Sequence, residues 1–294
     1  MRNRIWTTFF LIAVFISGIF TGCAPQQDSA DIVCTTLPVY QFTQRICSGT
    51  PLKLSRLVTE SVSCLHDYSL SVRQAQAVEK AEIVIISGAG LENFFNDLLD
   101  NKHCIDASVY VPVLDACHHH GEEDHDHHHD RDPHYWLSPE NAKLQAKAIC
   151  EGLCQSYPAY GDVFRQNLTI LLQDLTKLQN YGMEQLSGLS CREMITFHDG
   201  FSYFAQGFGL EVLEAIEEEA GSETSAKDLI RIVQLIREKE LPAIFTETNG
   251  SSASAEIISR ETGVTILSLD MAMAGDDYFT AMYANINAVK EAFK

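Results

Sequence analysis

The residues of this chain best suited to chemistry are its histidines. Seven of the twelve residues from 118 to 129 are histidine, and His134 follows shortly after. Deprotonated imidazoles bind zinc and related divalent metals. Pro133 stiffens the chain before His134, and Ser138 with Pro139 predicts a helix start after it. We interpret His134 as a metal ligand on a rigid turn, with a capped turn bearing a surface histidine as the alternative. The candidates for weak auxiliary metal binding are His118, His119, His120, His125, His127, His128 and His129.

The residues before His134 alternate between strand-like and helix-like segments. Strands are predicted at 32–36, 52–58, 82–87 and 108–114, and helices at 38–46, 71–79 and 91–99. Strands separated by helices predict βαβ units and a mostly parallel sheet. Residues 118–132 are too polar to bury, and we expect a mobile loop there.

A second alternating half follows one long helical segment. Apolar residues recur at helical spacing from 160 to 186 without an internal proline, which predicts a rod of about 40 Å at about 1.5 Å per residue. We therefore predict an α/β protein of two lobes with mostly parallel sheets, joined by one long rigid helix. In the second lobe, strands are predicted at 192–197, 210–216, 243–248 and 265–269, and helices after Ser225 and at 253–262 and 276–293.

Side chains with metal-binding chemistry lie where predicted strands end. His198, Glu247 and Asp270 follow or end three strands of the second lobe. In the first lobe, His66 lies in the loop after the second strand, and His134 follows the polar loop. Ligands of open parallel sheets bind just outside the carboxyl ends of strands. These positions predict a cleft between the lobes in which three imidazoles and a carboxylate hold a zinc ion.

Each candidate also has a simpler structural interpretation. A lone histidine such as His66 is more often a surface or capping residue, and Asp270 could cap the segment after it. His198 could pair with Asp199, and Glu247 with Arg260. The joint position at strand ends favours a site, but it leaves Asp270, Glu247 and water open as the fourth ligand.

The first residues predict export and a lipid anchor. Two arginines precede an apolar run of sixteen residues, the pattern of a signal peptide. The residues Phe-Thr-Gly before Cys23 resemble a bacterial lipobox, in which the cysteine is lipidated; an ordinary cleaved signal is the alternative. We therefore expect an extracytoplasmic protein, periplasmic or at the cell surface, anchored through Cys23. The predicted divisions are a signal peptide (1–22), a lipidated tether (23–31), a first lobe (32–157), a linking helix (158–187) and a second lobe (188–294).

The charge of the chain bears on its partners. The formal net charge is −19, and removing the two arginines of the signal leaves 19 basic and 40 acidic residues, or −21. So acidic a body argues against nucleic acid as a partner and suits a protein that attracts cations.

Nine cysteines are present, none in a CxxC spacing typical of thiolate metal sites. Cys150 with Cys154, and Cys104 with Cys117, are possible disulfide pairs in an exported protein, with buried free thiols as the alternative.

Six segments in chain order resemble one protein family. They are Cys34-Thr-Thr-Leu-Pro-Val-Tyr40, His66-Asp-Tyr68, Ala81-Glu-Ile-Val-Ile-Ile-Ser-Gly-Ala-Gly-Leu-Glu92, Asp132-Pro-His-Tyr-Trp-Leu137, Phe197-His-Asp-Gly-Phe-Ser-Tyr-Phe204 with Gly209-Leu210, and Ile244-Phe-Thr-Glu247. Together they span nearly all of the mature chain. The whole resembles the zinc/manganese-binding proteins of bacterial metal-uptake ABC transporters, and the zinc-specific branch especially.

The resemblance implies a metal held between the two lobes by His66, His134 and His198, with Asp270 as the fourth ligand. It implies a supporting place for Glu247 in the same cleft. Manganese-preferring relatives tend to have glutamate where His198 stands, so the third imidazole points to Zn²⁺ over Mn²⁺. The implied function is capture of Zn²⁺ outside the cytoplasm and delivery to the membrane permease of an ABC transporter, by a lipid-anchored monomer without catalysis.

Two other functions stay open on the residues alone. An exported zinc-dependent hydrolase would use three protein ligands and a water, and Glu247 could be its general base, although the sequence has no HExxH helix. A surface adhesin would hold its metal for structural reasons.

Overall fold

Two parallel β-sheets form the framework of the chain. The computed structural model describes residues 30–60, 65, 68–114, 131–217, 224–248, 253–273 and 275–294. Within those ranges each sheet has four strands, and neighbouring strands are parallel throughout. In both sheets the strand order is second, first, third, fourth, so the two lobes share one topology. The predicted α/β architecture of two lobes is confirmed.

Each sheet belongs to one lobe. Each sheet has two inner strands, Ile32–Cys34 and Ile83–Ile86 in the first and Glu193–His198 and Ala243–Glu247 in the second. All four are almost completely buried, as expected where helices cover both faces of a parallel sheet. The first sheet contains β1 (Ile32–Cys34), β2 (Leu54–Arg56), β3 (Ile83–Ile86) and β4 (His103–Asp106). The second contains β5 (Glu193–His198), β6 (Glu211–Glu217), β7 (Ala243–Glu247) and β8 (Thr265–Leu269).

Several helices begin at residues that satisfy their free backbone amides. Ser71 forms a capping box with Gln74, and Ser225 and Asp277 each accept a hydrogen bond from an amide in the first turn. The helices are α1 (Leu37–Ile46), α2 (Val72–Lys80), α3 (Asn96–Leu99), α4 (Pro139–Ser156), α5 (Gly161–Gln185), α6 (Ser202–Phe208), α7 (Ala226–Lys239), α8 (Ala253–Thr262) and α9 (Tyr278–Ala292). Short 3₁₀ turns lie at Asn93–Phe95, Tyr135–Leu137 and Pro158–Tyr160.

The 25-residue helix α5 links the lobes, as predicted, and contacts both. Asn167 Nδ2 donates to the Ile46 carbonyl of α1 at 2.9 Å, and Tyr181 Oη donates to Asn287 Oδ1 of α9 at 2.7 Å. Its buried side chains join one apolar core that includes side chains of both lobes. The helix is therefore a packed element and not a free tether.

The structure corrects the sequence prediction at β4. The strand predicted at 108–114 is wrong, because the strand that pairs with β3 is His103–Asp106. Asp106 Oδ1 accepts hydrogen bonds from the amide and the hydroxyl of Ser108, which turn the chain away from the sheet. In addition, the helix predicted at 91–99 is broken into a 3₁₀ turn and α3, and α6 had no predicted counterpart.

Some predictions lie outside the described residues. These are the signal peptide, Cys23, His66, Cys117 and the histidines of 118–129. The end of the polar segment 118–132 is described, and the prediction that it cannot be buried is wrong at Asp132, which is buried. The six cysteines in the described part of the chain, including Cys150 and Cys154, are free thiols. Among the described residues, no helix combines the length and apolarity needed to span a bilayer.

Candidate metal centre

Three candidate ligands lie at one edge of the second sheet. His198 is the last residue of β5, and Glu247 is the last residue of the neighbouring strand β7. Because Thr196 pairs with Phe245, the residues two further along each strand emerge side by side on the same face. Asp270 directly follows β8, which neighbours β7. The strand register thus brings the three side chains to the carboxyl edge where parallel sheets bind ligands.

The imidazoles of His134 and His198 face each other between the two lobes. Their Nε2 atoms lie 3.5 Å apart, and the ring planes are inclined by 82°. Both side chains are only 2% exposed. Two nitrogens bound to one tetrahedral zinc at about 2.0–2.1 Å lie about 3.3 Å apart. The observed spacing therefore fits two ligands of a single metal ion.

A carboxylate lies at the other nitrogen of each ring. Asp132 Oδ1 is 2.9 Å from His134 Nδ1, and Glu247 Oε1 is 3.5 Å from His198 Nδ1. A carboxylate beside Nδ1 holds the ring proton there and leaves Nε2 as a lone-pair donor. Two facing lone pairs repel each other unless a cation lies between them. The donor set is therefore suited to a cation.

The turn that carries His134 is held from both lobes. The His134 amide donates to Asp132 Oδ1 at 2.9 Å, which closes the turn locally. From the second lobe, Tyr203 Oη donates to the Asp132 carbonyl at 3.0 Å, and Tyr278 Oη donates to the Trp136 carbonyl at 2.7 Å. These contacts fix the imidazole before any ligand arrives, so binding orders little additional structure.

A buried polar network in the first lobe supports the same turn. The hydroxyl of Tyr135 donates to the Ser87 carbonyl. Glu92 accepts hydrogen bonds from the Thr35 hydroxyl at 2.6 Å and from the amides of Ser87 and Gly88 at 2.8 and 2.9 Å. Burial raises the pKa of Glu92 from 4.5 to about 7, although these three hydrogen bonds act to lower it. Glu92 therefore orders the loop against which Tyr135, the neighbour of His134, is fixed.

Gly200 lies against both imidazole rings. A Cβ at this position would come within 2.8 Å of His198 Cδ2, 3.1 Å of His134 Nδ1 and 2.6 Å of Met271 Cε, whereas ordinary contacts begin at 3.4 Å. Glycine is therefore required by space and not by backbone conformation. The contact with Met271 also shows that the residue after Asp270 borders the space around the two rings.

The remaining predicted residues are placed as follows. Asp270 Oδ1 accepts a hydrogen bond from the Ala272 amide at 2.7 Å, so Asp270 does cap the segment after it. His66 and the seven loop histidines lie outside the described residues. In the part of the chain that the structure describes, no group of three or more histidine, cysteine or acidic side chains is arranged to hold a metal.

Two residues of the centre were not predicted from the sequence. Asp132 orients His134. The sequence offered one sign of this, because Asp132 lies two residues before a proposed ligand and metal-binding histidines usually donate the N–H of their second ring nitrogen to a carboxylate. Gly200 had the weaker signal of a glycine two residues after His198. Its importance depends on how closely the two lobes approach.

Comparison with known proteins gives consistent matches. The family model "Zinc-uptake complex component A periplasmic" matches residues 32–292. The zinc-binding lipoprotein AdcA of Streptococcus pneumoniae (strain ATCC BAA-255 / R6) is 27% identical over 304 residues, which cover 96% of this chain and 60% of that protein. The chain thus spans about 60% of the length of the curated relatives it matches.

Solved structures share the fold. A crystal structure of ZnuA has a TM-score of 0.78 at 27% identity and covers 90% of this chain and 100% of that one. The crystal structure of Zn(II)-bound AdcA from Streptococcus pneumoniae has a TM-score of 0.75 at 26% identity, with coverages of 90% and 58%.

Proposed function

This chain belongs to the family of periplasmic component A of zinc-uptake complexes, and from that premise we propose that it captures Zn²⁺ outside the cytoplasm and delivers it to the permease of an ABC transporter. The observation that carries the proposal is the 3.5 Å spacing between the Nε2 atoms of His134 and His198, each ring having a carboxylate at Nδ1. The names of the relatives, which call them zinc-binding or Zn(II)-bound, support the choice of metal.

The proposed ligands of one Zn²⁺ are His66, His134, His198 and Asp270. The facing rings support His134 and His198 as ligands. The position of Asp270 at the same sheet edge as His198 supports its carboxylate as a further ligand. Glu247 would orient His198 without binding the metal itself, because its carboxylate faces Nδ1 of that ring. Three imidazoles and one carboxylate favour Zn²⁺ over Mn²⁺, which prefers oxygen ligands.

Capture depends on the protonation of the imidazoles. Asp132 Oδ1 is hydrogen-bonded to His134 Nδ1, and Glu247 Oε1 lies 3.5 Å from His198 Nδ1. A carboxylate in this position favours the proton on Nδ1 and makes Nε2 a stronger donor to the metal. Protons compete for the same nitrogens, so zinc binding weakens as pH falls. Because His134 and His198 belong to different lobes, a small shift between the lobes separates their Nε2 atoms. We propose that docking on the permease causes such a shift and releases the ion.

The N-terminal residues would determine where the protein is located. A signal peptide over residues 1–22 and a lipid on Cys23 would hold a monomer at the outer face of a membrane, in the periplasm or at the cell surface. A relative named as a lipoprotein supports this. The loop histidines and a net charge of −19 would raise the local concentration of Zn²⁺. No catalytic step and no nucleic-acid partner are part of this function.

The test is a zinc titration of the purified protein beside its His198→Ala variant. Wild type should bind about one equivalent tightly, and His198→Ala should lose that binding. The matched control is His103→Ala, which removes an exposed histidine from β4. Tight binding that survives His198→Ala would refute the site. Zinc-dependent turnover in a parallel screen of ester, peptide and phosphoester substrates would favour a hydrolase instead.

A further inference from the structure

A segment of the second lobe is bound to the first lobe directly after Asp270. Residues 271–273 and 275–278, here called the strap, connect β8 to the start of α9. Four of its carbonyls accept hydrogen bonds from the first lobe, and the first three belong to Met271, Met273 and Gly275. Trp136 Nε1 donates to the Met271 carbonyl at 2.8 Å, the Leu37 amide to that of Met273 at 3.0 Å, and Arg56 Nη1 to that of Gly275 at 2.7 Å.

Gln41 of α1 holds the far end of the strap with both atoms of its amide. Its Nε2 donates to the Asp276 carbonyl at 2.8 Å and to Asp277 Oδ1 at 3.3 Å, and its Oε1 accepts from the Tyr278 amide at 2.8 Å. The next residue, Phe42, meets the Tyr278 ring edge-on with the centroids 5.0 Å apart. Gln41 is half-buried, so replacing it leaves the apolar core of the lobe intact.

Asp270 lies where the strap begins. Its amide donates to Asn285 Oδ1 and its carbonyl accepts from Asn285 Nδ2, both at 2.7 Å, so the Asp270 backbone is anchored to α9 of its own lobe. Its carboxylate is turned by a different contact, the 2.7 Å hydrogen bond from the Ala272 amide, and Ala272 adopts a positive φ of 51°. The orientation of this carboxylate therefore depends on the path of the strap, which the first lobe determines.

We propose that Gln41 is a positioning residue for the metal site: by holding the strap, it sets the Asp270 carboxylate relative to His134. Trp136 acts in the same sense, since it follows His134 by two residues and contacts Met271, the neighbour of Asp270. The inference rests on the proposed function, because it takes Asp270 as a ligand. It makes the orientation of the Asp270 carboxylate depend on the first lobe, whereas the Asp270 backbone and His198, on β5, stay with the second.

The experiment compares Gln41→Met with Gln44→Met in zinc competition titrations. Gln44 lies on the same helix, is exposed, and donates only to Tyr40 Oη among the described contacts. Gln41→Met removes three hydrogen bonds to the strap and should raise the dissociation constant for zinc about tenfold, the lower end of the range seen when the support of a metal ligand is lost. Gln44→Met should leave it unchanged. In the metal-free protein, Gln41→Met should also speed hydrogen exchange at the Ala272 and Tyr278 amides.

A double-mutant cycle with Asp270→Asn separates positioning from a general loss of structure. If Gln41 acts through Asp270, Gln41→Met has little further effect once Asp270→Asn is present, and the visible spectrum of bound Co²⁺ in Gln41→Met shifts toward that of Asp270→Asn. An equal loss of affinity in both backgrounds, or no loss while wild type binds zinc, overturns the inference. A wild-type protein that binds no zinc overturns the proposed function itself, and the first titration of the series reveals it.

Discussion

The substitution Gly200→Ala tests the geometry of the metal centre most directly. The new Cβ would lie 2.8 Å from His198 Cδ2, so the imidazole must retreat by about 0.6 Å to reach ordinary contact at 3.4 Å. Metal–ligand distances are held to about 0.2 Å, so the retreat removes His198 from the ion or distorts its bond. The Met271 methyl, at the end of a flexible side chain, can move aside cheaply. We expect zinc affinity to fall about 10- to 100-fold, the range seen when the support of a metal ligand is lost.

The assay is a competition titration against a chelator of known affinity. The matched control is Gly188→Ala, because a Cβ on Gly188 would have no neighbour within 4 Å. Thermal unfolding of the metal-free proteins shows whether the effect is local, since overpacking by one methyl costs about 1–3 kcal/mol where the surroundings cannot yield. Unchanged zinc affinity in Gly200→Ala would refute the proposal that both rings bind one ion beside this residue.

Three further predictions address the supports of the site. Asp132→Asn should weaken zinc binding about 10- to 100-fold by removing the acceptor that orients His134; unchanged affinity in the same titration would contradict that role. In urea unfolding of the metal-free protein, stability should fall as pH rises from 4.5 to about 7, because folded Glu92 keeps a proton that the unfolded chain releases. Glu92→Gln should flatten that slope, whereas exposed Glu79→Gln should not; equal slopes in all three proteins would refute the buried-acid argument. Deleting 118–129 should leave the affinity of the main site unchanged in a titration, and loss of tight binding would contradict the assignment of the ligands.

Periodicity predicted the architecture because burial dictates it. A nearly continuous apolar run such as 82–87 is typical of a strand in a parallel sheet that helices cover on both faces. The alternation of such runs with amphipathic segments predicts the βαβ order. The run 108–114 has the same β-branched composition but lies outside the sheet. The hydrogen bonds from Ser108 to Asp106 end β4 before this run begins. Hydrophobic periodicity does not reveal such a local turn.

The candidate site could be predicted from the sequence only where the position of a residue along a strand determines its position in space. His198, Glu247 and Asp270 were found because strand ends meet at one edge. The distance from His134 to His198 depends instead on how the lobes pack, as does the role of Gly200, whose neighbours come from three separated segments. No pattern within one segment carries that information.

The continuous apolar core has a consequence for how the molecule unfolds. Buried side chains of the first lobe such as Phe42, of the linking helix such as Leu175, and of the second lobe such as Val289 belong to one cluster. Neither half can melt without exposing the other to water, so calorimetry should record a single cooperative transition where a two-domain chain would often show two. For the same reason, either half produced alone should aggregate.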